Sequence, residues 1–144
     1  MDDKILFVDD DENALDGYER MLRSEFQVSK ARGGAQGLAM VRIFGPFSVV
    51  ISDMRMPGMN GVEFLAQTRK TAPRTVRMLL TGYRDIDAAI QAVNTGRIFR
   101  YLTKPCGKAE LTAAIKLAVA ESRAISAEKE AVKREVEMEL GSLI

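Results

Sequence analysis

Short β-favouring apolar runs recur along the chain at Ile5 to Val8, Phe26 to Lys30, Phe47 to Ser52, Val76 to Leu80 and Ile98 to Thr103, each bounded by acidic or turn residues. Runs of this length read as strands. Between them the apolar rhythm changes. Ala14, Leu15, Tyr18 and Leu22 fall on one face of a helix, as do Ala35, Leu38 and Ala39, then Val62, Leu65 and Ala66. A fourth stripe, Ile86, Ala89, Ile90 and Val93, starts behind Asp85 and stops at Gly96, a residue type suited to the position just past a helix. Leu111, Ala114, Ile115, Ala118 and Val119 open the fifth.

Strand and helix therefore alternate five times. Short βα units of this kind stack into a parallel sheet with helices on both faces, and their functional crevice lies at the carboxyl ends of the strands. The polar groups expected there are Asp9, Asp10 and Asp11 after the first strand, Asp53 after the third, Thr81 after the fourth and Lys104 after the fifth. The end of the second strand, Ala31 to Gly34, offers no comparable group.

From Ser122 to Leu140 the chain turns to Ala, Glu, Lys and Val without Pro or Gly, which extends the fifth helix. Its apolar phase runs Leu111, Ile115, Ala118, Ser122, Ile125, Lys129, Val132 and Val136 in alternating steps of four and three, the heptad rhythm of a short coiled coil. Ser122 and Lys129 are imperfect core positions, and Leu140 and Leu143 shift the phase like a stutter. Residues 1–122 read as the domain and 123–144 as a helical linker. The close on Gly141 to Ile144 has no natural stop, as expected of a piece of something longer.

Composition narrows the function. The 144 residues, 47% hydrophobic and 28% charged, suit one globular domain. A net charge of +1 gives no reason to expect nucleic-acid binding. The single cysteine, Cys106, suits a reducing compartment. With no signal-peptide pattern at the start and no apolar run of membrane-spanning length, the reading is cytoplasmic. The chain has no histidine, which excludes histidine triads, HExxH zinc sites and an internal phosphohistidine relay.

Three adjacent carboxylates behind a buried strand repel one another, and a cation is the simplest reason for them. Mg²⁺ fits best, because it takes one or two carboxylates and leaves positions open for phosphate oxygens. An acidic cluster alone is also what a helix start attracts. Asp53 changes the balance: it emerges beside the cluster, where a carboxylate can both ligate the metal and attack phosphorus. Phosphoryl transfer also needs charge neutralisation and a hydroxyl donor, for which Lys104 and Thr81 stand at the ends of two further strands.

The strings Ile5-Leu6-Phe7-Val8-Asp9-Asp10-Asp11, Ser52-Asp53-Met54-Arg55-Met56-Pro57-Gly58-Met59-Asn60-Gly61, Leu79-Leu80-Thr81-Gly82 and Tyr101-Leu102-Thr103-Lys104-Pro105 resemble the receiver domain of two-component response regulators. The resemblance implies a five-stranded flavodoxin-like sheet in the order 2-1-3-4-5, an order the receiver itself illustrates. It implies that a histidine kinase or phosphotransfer protein donates a phosphoryl group from phosphohistidine to Asp53. By the same resemblance Asp10 and Asp53 bind Mg²⁺ directly, Asp9 supports it through water, and the Arg55 carbonyl completes the ligands. A cis bond at Lys104-Pro105 is also implied.

A phosphoryl group on Asp53 is expected to draw Thr81 inward and to let Tyr101 turn in behind it. The surface that moves, the fourth helix, fifth strand and fifth helix, carries Arg84, Asp85, Arg97 and Arg100 for salt-bridged contacts in a homodimer, with the C-terminal helix as a second dimer surface. Arg55 and Tyr83 are bulky where receivers tune water access, which predicts a long-lived phosphorylated state. No enzymatic activity beyond its own phosphorylation and dephosphorylation is expected. The Asn94 to Cys106 segment is further similar to receivers that precede HD-type cyclic-dinucleotide phosphodiesterase domains. A haloacid-dehalogenase-type phosphatase would need an acid where Arg55 stands; a P-loop would need glycine at Leu102; an EF-hand fails at Ala14 and Arg20. A phosphorylation-independent interaction module stays as the alternative, though it leaves the acidic site without a purpose.

Overall fold

β1 (Lys4–Asp9) and β3 (Val49–Asp53) are buried at nearly every position because both of their faces are covered. Ile5 and Phe7, Val49 and Ile51 point into one core with Val76, Met78 and Leu80, while Leu6, Val8, Val50 and Leu79 point into the other. This period-two division is what a central parallel strand imposes. The computed structural model describes residues 3–143, the side chain of Leu143 excepted. Along them β1, α1 (Glu12–Leu22), β2 (Gln27–Arg32), α2 (Gly33–Phe44), β3, α3 (Gly61–Thr71), β4 (Val76–Thr81), α4 (Ile86–Asn94), β5 (Arg100–Thr103) and α5 (Lys108–Leu143) follow in order. The five strands pair in parallel in the order β2-β1-β3-β4-β5, as the resemblance implied.

α1 and α5 cover one face through Leu15, Leu22, Leu111, Ile115 and Ala118, and the other core includes Val41 of α2, Phe64 and Leu65 of α3 and Ala89 and Ala92 of α4. Each fully buried large apolar side chain of these cores is worth about 1.5–3 kcal/mol relative to exposure. Helix ends follow local chemistry. The Asp11 side chain accepts from the Asn13 N–H at the start of α1, and Asn60 and Glu63 make a reciprocal capping box on α3. Gly96, at φ 72°, ends α4 with its N–H on the Val93 carbonyl while the Arg97 N–H reaches the Ala92 carbonyl. That is a Schellman closure, which a left-handed glycine permits.

Three expected strands are shorter at their starts. Phe26, Phe47 and Ser48, and Ile98 and Phe99 lie ahead of β2, β3 and β5. Ile98 is buried, yet its N–H donates to the Ala92 carbonyl of α4, so it closes the helix before the ladder begins. The apolar pattern reported burial there, and burial extends past the hydrogen-bonded strand. The cis bond expected at Lys104-Pro105 is present, and Gly45-Pro46 is cis as well.

α5 passes residue 122 without a break. Its stripe is sealed against the sheet at Leu111, Ile115 and Ala118, half-exposed at Ser122 and Ile125, and in water at Lys129, Val132, Val136 and Leu140. Arg123 pairs with Asp3 at 2.8 Å, and Arg74 comes within 4.0 Å of Glu130. The stutter residue Leu143 and the terminal Ile144 lie outside what can be said of side chains.

Candidate functional site

Because all five strands run in one direction, their last residues share one edge of the sheet. Asp9 ends β1, Asp53 ends β3, Thr81 ends β4, and Lys104 follows β5. Asp9, Asp10 and Asp53 each present a carboxylate oxygen within 4.8 Å of the others. Lys104 Nζ lies 2.6 Å from Asp53 Oδ1 and 3.7 Å from Asp9 Oδ2. The Lys104 N–H donates to the Thr81 carbonyl at 2.9 Å, tying the end of β5 to the end of β4. Asp11 stands apart: it caps α1, while its N–H donates to Asp9 Oδ1 at 2.9 Å.

The electrostatics are those of too much negative charge in too little water. Burial pushes the Asp9 carboxyl above its ordinary value, the Asp11 N–H opposes this, and the Asp53 charge adds to it. Burial would lower Lys104, but the hydrogen bond and charge of Asp53, with Asp9, outweigh it and hold the ammonium above the usual range. Lys104 is therefore a fixed positive charge at neutral pH. Asp9 Oδ2 is buried and accepts no hydrogen bond, since Lys104 stands too far away for one. An orphaned buried carboxylate oxygen beside two more carboxylates is a hard, all-oxygen donor set, the kind Mg²⁺ takes.

Thr81 is fully buried, and its hydroxyl donates to the Gly82 carbonyl at 3.1 Å. Tyr101 is half-buried on β5 against the core that includes residues of α3 and α4. Tyr83 is 77% exposed. Arg55 turns away along the edge, its Nε 2.7 Å and Nη2 3.0 Å from the two oxygens of Asp85. Asp85, expected to start α4 and to serve contacts between subunits, has its carboxylate engaged inside the chain by a guanidinium from a loop thirty residues away.

Sequence reasoning missed Gly61. A Cβ on it would stand 2.2 Å from the Asp53 carbonyl, while its N–H donates to Met54 at 2.8 Å, so α3 starts directly on the end of β3. The signal was an Asn60-x-x-Glu63 capping box with glycine at the first helical position. The Arg55–Asp85 pair left no sequence signal, since two charges in separate loops have no fixed spacing.

Comparison with known proteins adds to the geometry. The chain matches the family described as response regulator receiver domain over residues 5–116. The hydrogenase transcriptional regulatory protein HoxA of Cupriavidus necator is 38% identical over 101 residues, which are 70% of this chain and 21% of that protein. The chain thus spans about a fifth of that relative's length. The crystal structure of adenylate cyclase from Rhodopirellula baltica superposes with a TM-score of 0.90 at 38% identity, covering 92% of this chain and 98% of that one. The signal receiver domain of an HD domain-containing protein from Pseudomonas fluorescens gives a TM-score of 0.79 at 32% identity, covering 86% and 99%. With its parallel sheet and its acidic strand ends, the chain belongs to the receiver domain family of two-component response regulators.

Proposed function

We propose that Asp53 is the phosphoacceptor, and the observation that carries this is Lys104 Nζ at 2.6 Å from Asp53 Oδ1 at the rim of a three-carboxylate cluster. Receivers accept their phosphoryl group from histidine kinases and bind Mg²⁺ at an acidic cluster of this kind. Here Asp10 and Asp53 would hold the ion directly, Asp9 through water, and the Arg55 carbonyl would complete the set. When bound, the ion neutralises the oxygens of the incoming phosphoryl group.

One Asp53 oxygen attacks phosphorus as the P–N bond to the donor imidazole breaks. The imidazole keeps the electron pair and takes up a proton. Lys104, already in contact with Asp53, stabilises charge on the phosphoryl oxygens, and little covalent chemistry is left for the protein. The new group competes for the Thr81 hydroxyl, now on a neutral carbonyl, because a charged acceptor makes the stronger bond. Thr81 moving in leaves room for Tyr101 to follow, which shifts an existing population of the α4–β5–α5 face.

That change leaves the domain by two routes. Residues 123–144 act as a helical linker to an output domain, for which the Pseudomonas receiver supports the HD type. Exposed Val132 and Val136 form the seam of a parallel homodimer. In the heptad phase Glu128 and Lys133 flank that seam, so an in-register pair sets Glu128 of one copy opposite Lys133 of the other.

Intact-mass measurement with a small-molecule phosphodonor tests the acceptor. The expected result is one phosphoryl adduct that requires Mg²⁺ and disappears in Asp53→Asn. No adduct under any condition would favour a phosphorylation-independent interaction module.

A further inference from the structure

Asp85 occupies the N-cap position of α4 without capping it. Its carboxylate accepts nothing from the helix and takes the Arg55 guanidinium instead, through both oxygens. At the starts of α1 and α3, Asp11 and Asn60 accept helix N–H bonds. The backbone differs in the same sense. Asp11 and Asn60 have ψ of 110° and 172°, whereas Asp85 sits at φ −115° and ψ 13°, closing a 3-10 turn over Tyr83–Asp85. Aspartate is among the best N-caps, and this nine-residue helix, whose Ile86 N–H is held by the Tyr83 carbonyl but which no side chain caps, stands to gain from one. With ψ at 13° the Asp85 carboxylate serves Arg55 and leaves the helix uncapped.

Arg55 also has a second use. It lies two residues from Asp53, so their Cα atoms are within about 7 Å, which an arginine side chain can span. Its side chain is 60% exposed and, among the described residues, hydrogen-bonds to Asp85 alone. A dianionic phosphoryl group offers the planar guanidinium more charge and more acceptor oxygens than one carboxylate does.

We infer that Arg55 and Asp85 form an exchange latch: a phosphoryl group on Asp53 takes over the Arg55 guanidinium, and the released Asp85 carboxylate caps α4 at the N–H of Asp87 or Ala88. The inference rests on the phosphoacceptor reading above. Capping requires ψ of Asp85 to leave 13°, so the 3-10 turn opens and the segment from Thr81 to Asp85 is re-seated. The latch thereby joins the loop after β3 to the start of α4 through a contact that uses neither the Thr81 hydroxyl nor the Tyr101 ring.

Amide hydrogen exchange at Asp87 and Ala88 tests this, with Mg²⁺ and beryllofluoride standing in for the phosphoryl group and ¹⁹F resonance reporting whether the site is loaded. Loading the native chain should slow exchange at these amides about fivefold, the factor a typical cap is worth. Asp85→Asn, which still caps but holds no arginine, should show the slowing without loading. Arg55→Ala should do the same by freeing Asp85, and Asp85→Ala should show no slowing in either state. A loaded native chain with unchanged exchange overturns the latch and leaves the phosphoacceptor intact. So does exchange in empty Asp85→Asn and Arg55→Ala equal to that of the empty native chain, a comparison that stands even if Asp85→Ala fails to fold. Failure to load at all overturns the phosphoacceptor reading and the latch with it.

Discussion

Asp9, Asp53, Thr81 and Lys104 become neighbours only because each stands at a strand end, and that makes them readable in the sequence. A strand boundary is a local signal, and parallel topology converts four such signals into one site. The Arg55 side chain was legible as bulk, and its pairing with Asp85 was not legible at all. Its bulk, with that of Tyr83, still predicts that Arg55→Ala and Tyr83→Ala each hasten loss of the phosphoryl group, by about tenfold or less if access of water alone is altered. A decay rate in both variants equal to or slower than the native rate would contradict this. Cys106 gives a pH prediction: burial, with the nearby Glu110 charge, raises its thiol pKa. A raised thiol pKa leaves less thiolate at pH 8 than a free cysteine has, so alkylation should be slower there and should keep climbing to higher pH than it does for a free thiol. Alkylation at pH 8 as fast as in a free thiol would show the environment to be otherwise.

At the scale of elements, the start of α3 is the joint that sets the height of Asp53. The Asn60–Glu63 box stops the helix there, and Gly61 lets it rest on the Asp53 carbonyl. Gly61→Ala should cost about 1–3 kcal/mol, the range for overpacking a close contact, read as a lowered Tm. The same variant should bind Mg²⁺ more weakly, because the backbone that must move is Asp53's own. A variant with native Tm and native Mg²⁺ affinity would show that the contact relaxes freely. Element identity was legible from the apolar pattern alone, since strands are short bounded runs and helices stripe. The starts of β2, β3 and β5 were not, because Phe26, Phe47 and Ile98 are buried without belonging to the ladder. Hydrophobicity marks what is covered, and the hydrogen-bond register marks what is strand.

Across the whole molecule, the two cores end near Val119 while α5 continues to Leu143, so the helix carries its stripe from inside the fold out into water. A lone charged residue at a heptad core position weakens association without abolishing the phase. Lys129→Leu should therefore tighten dimerisation by about tenfold or more, measured as a lower dimer Kd in sedimentation, given the apolar area it adds to the seam. An unchanged Kd would remove Val132 and Val136 from the interface. No helix among the described residues is long and apolar enough to cross a membrane.

Phosphoryl transfer at Asp53 can be read by chemical trapping. Borohydride reduces an aspartyl phosphate to homoserine, which peptide mass mapping locates in the chain. After treatment with a phosphodonor and Mg²⁺, homoserine is expected at position 53 alone, and none when Mg²⁺ is chelated. Homoserine at position 9 or 10, or none under any condition, would contradict it.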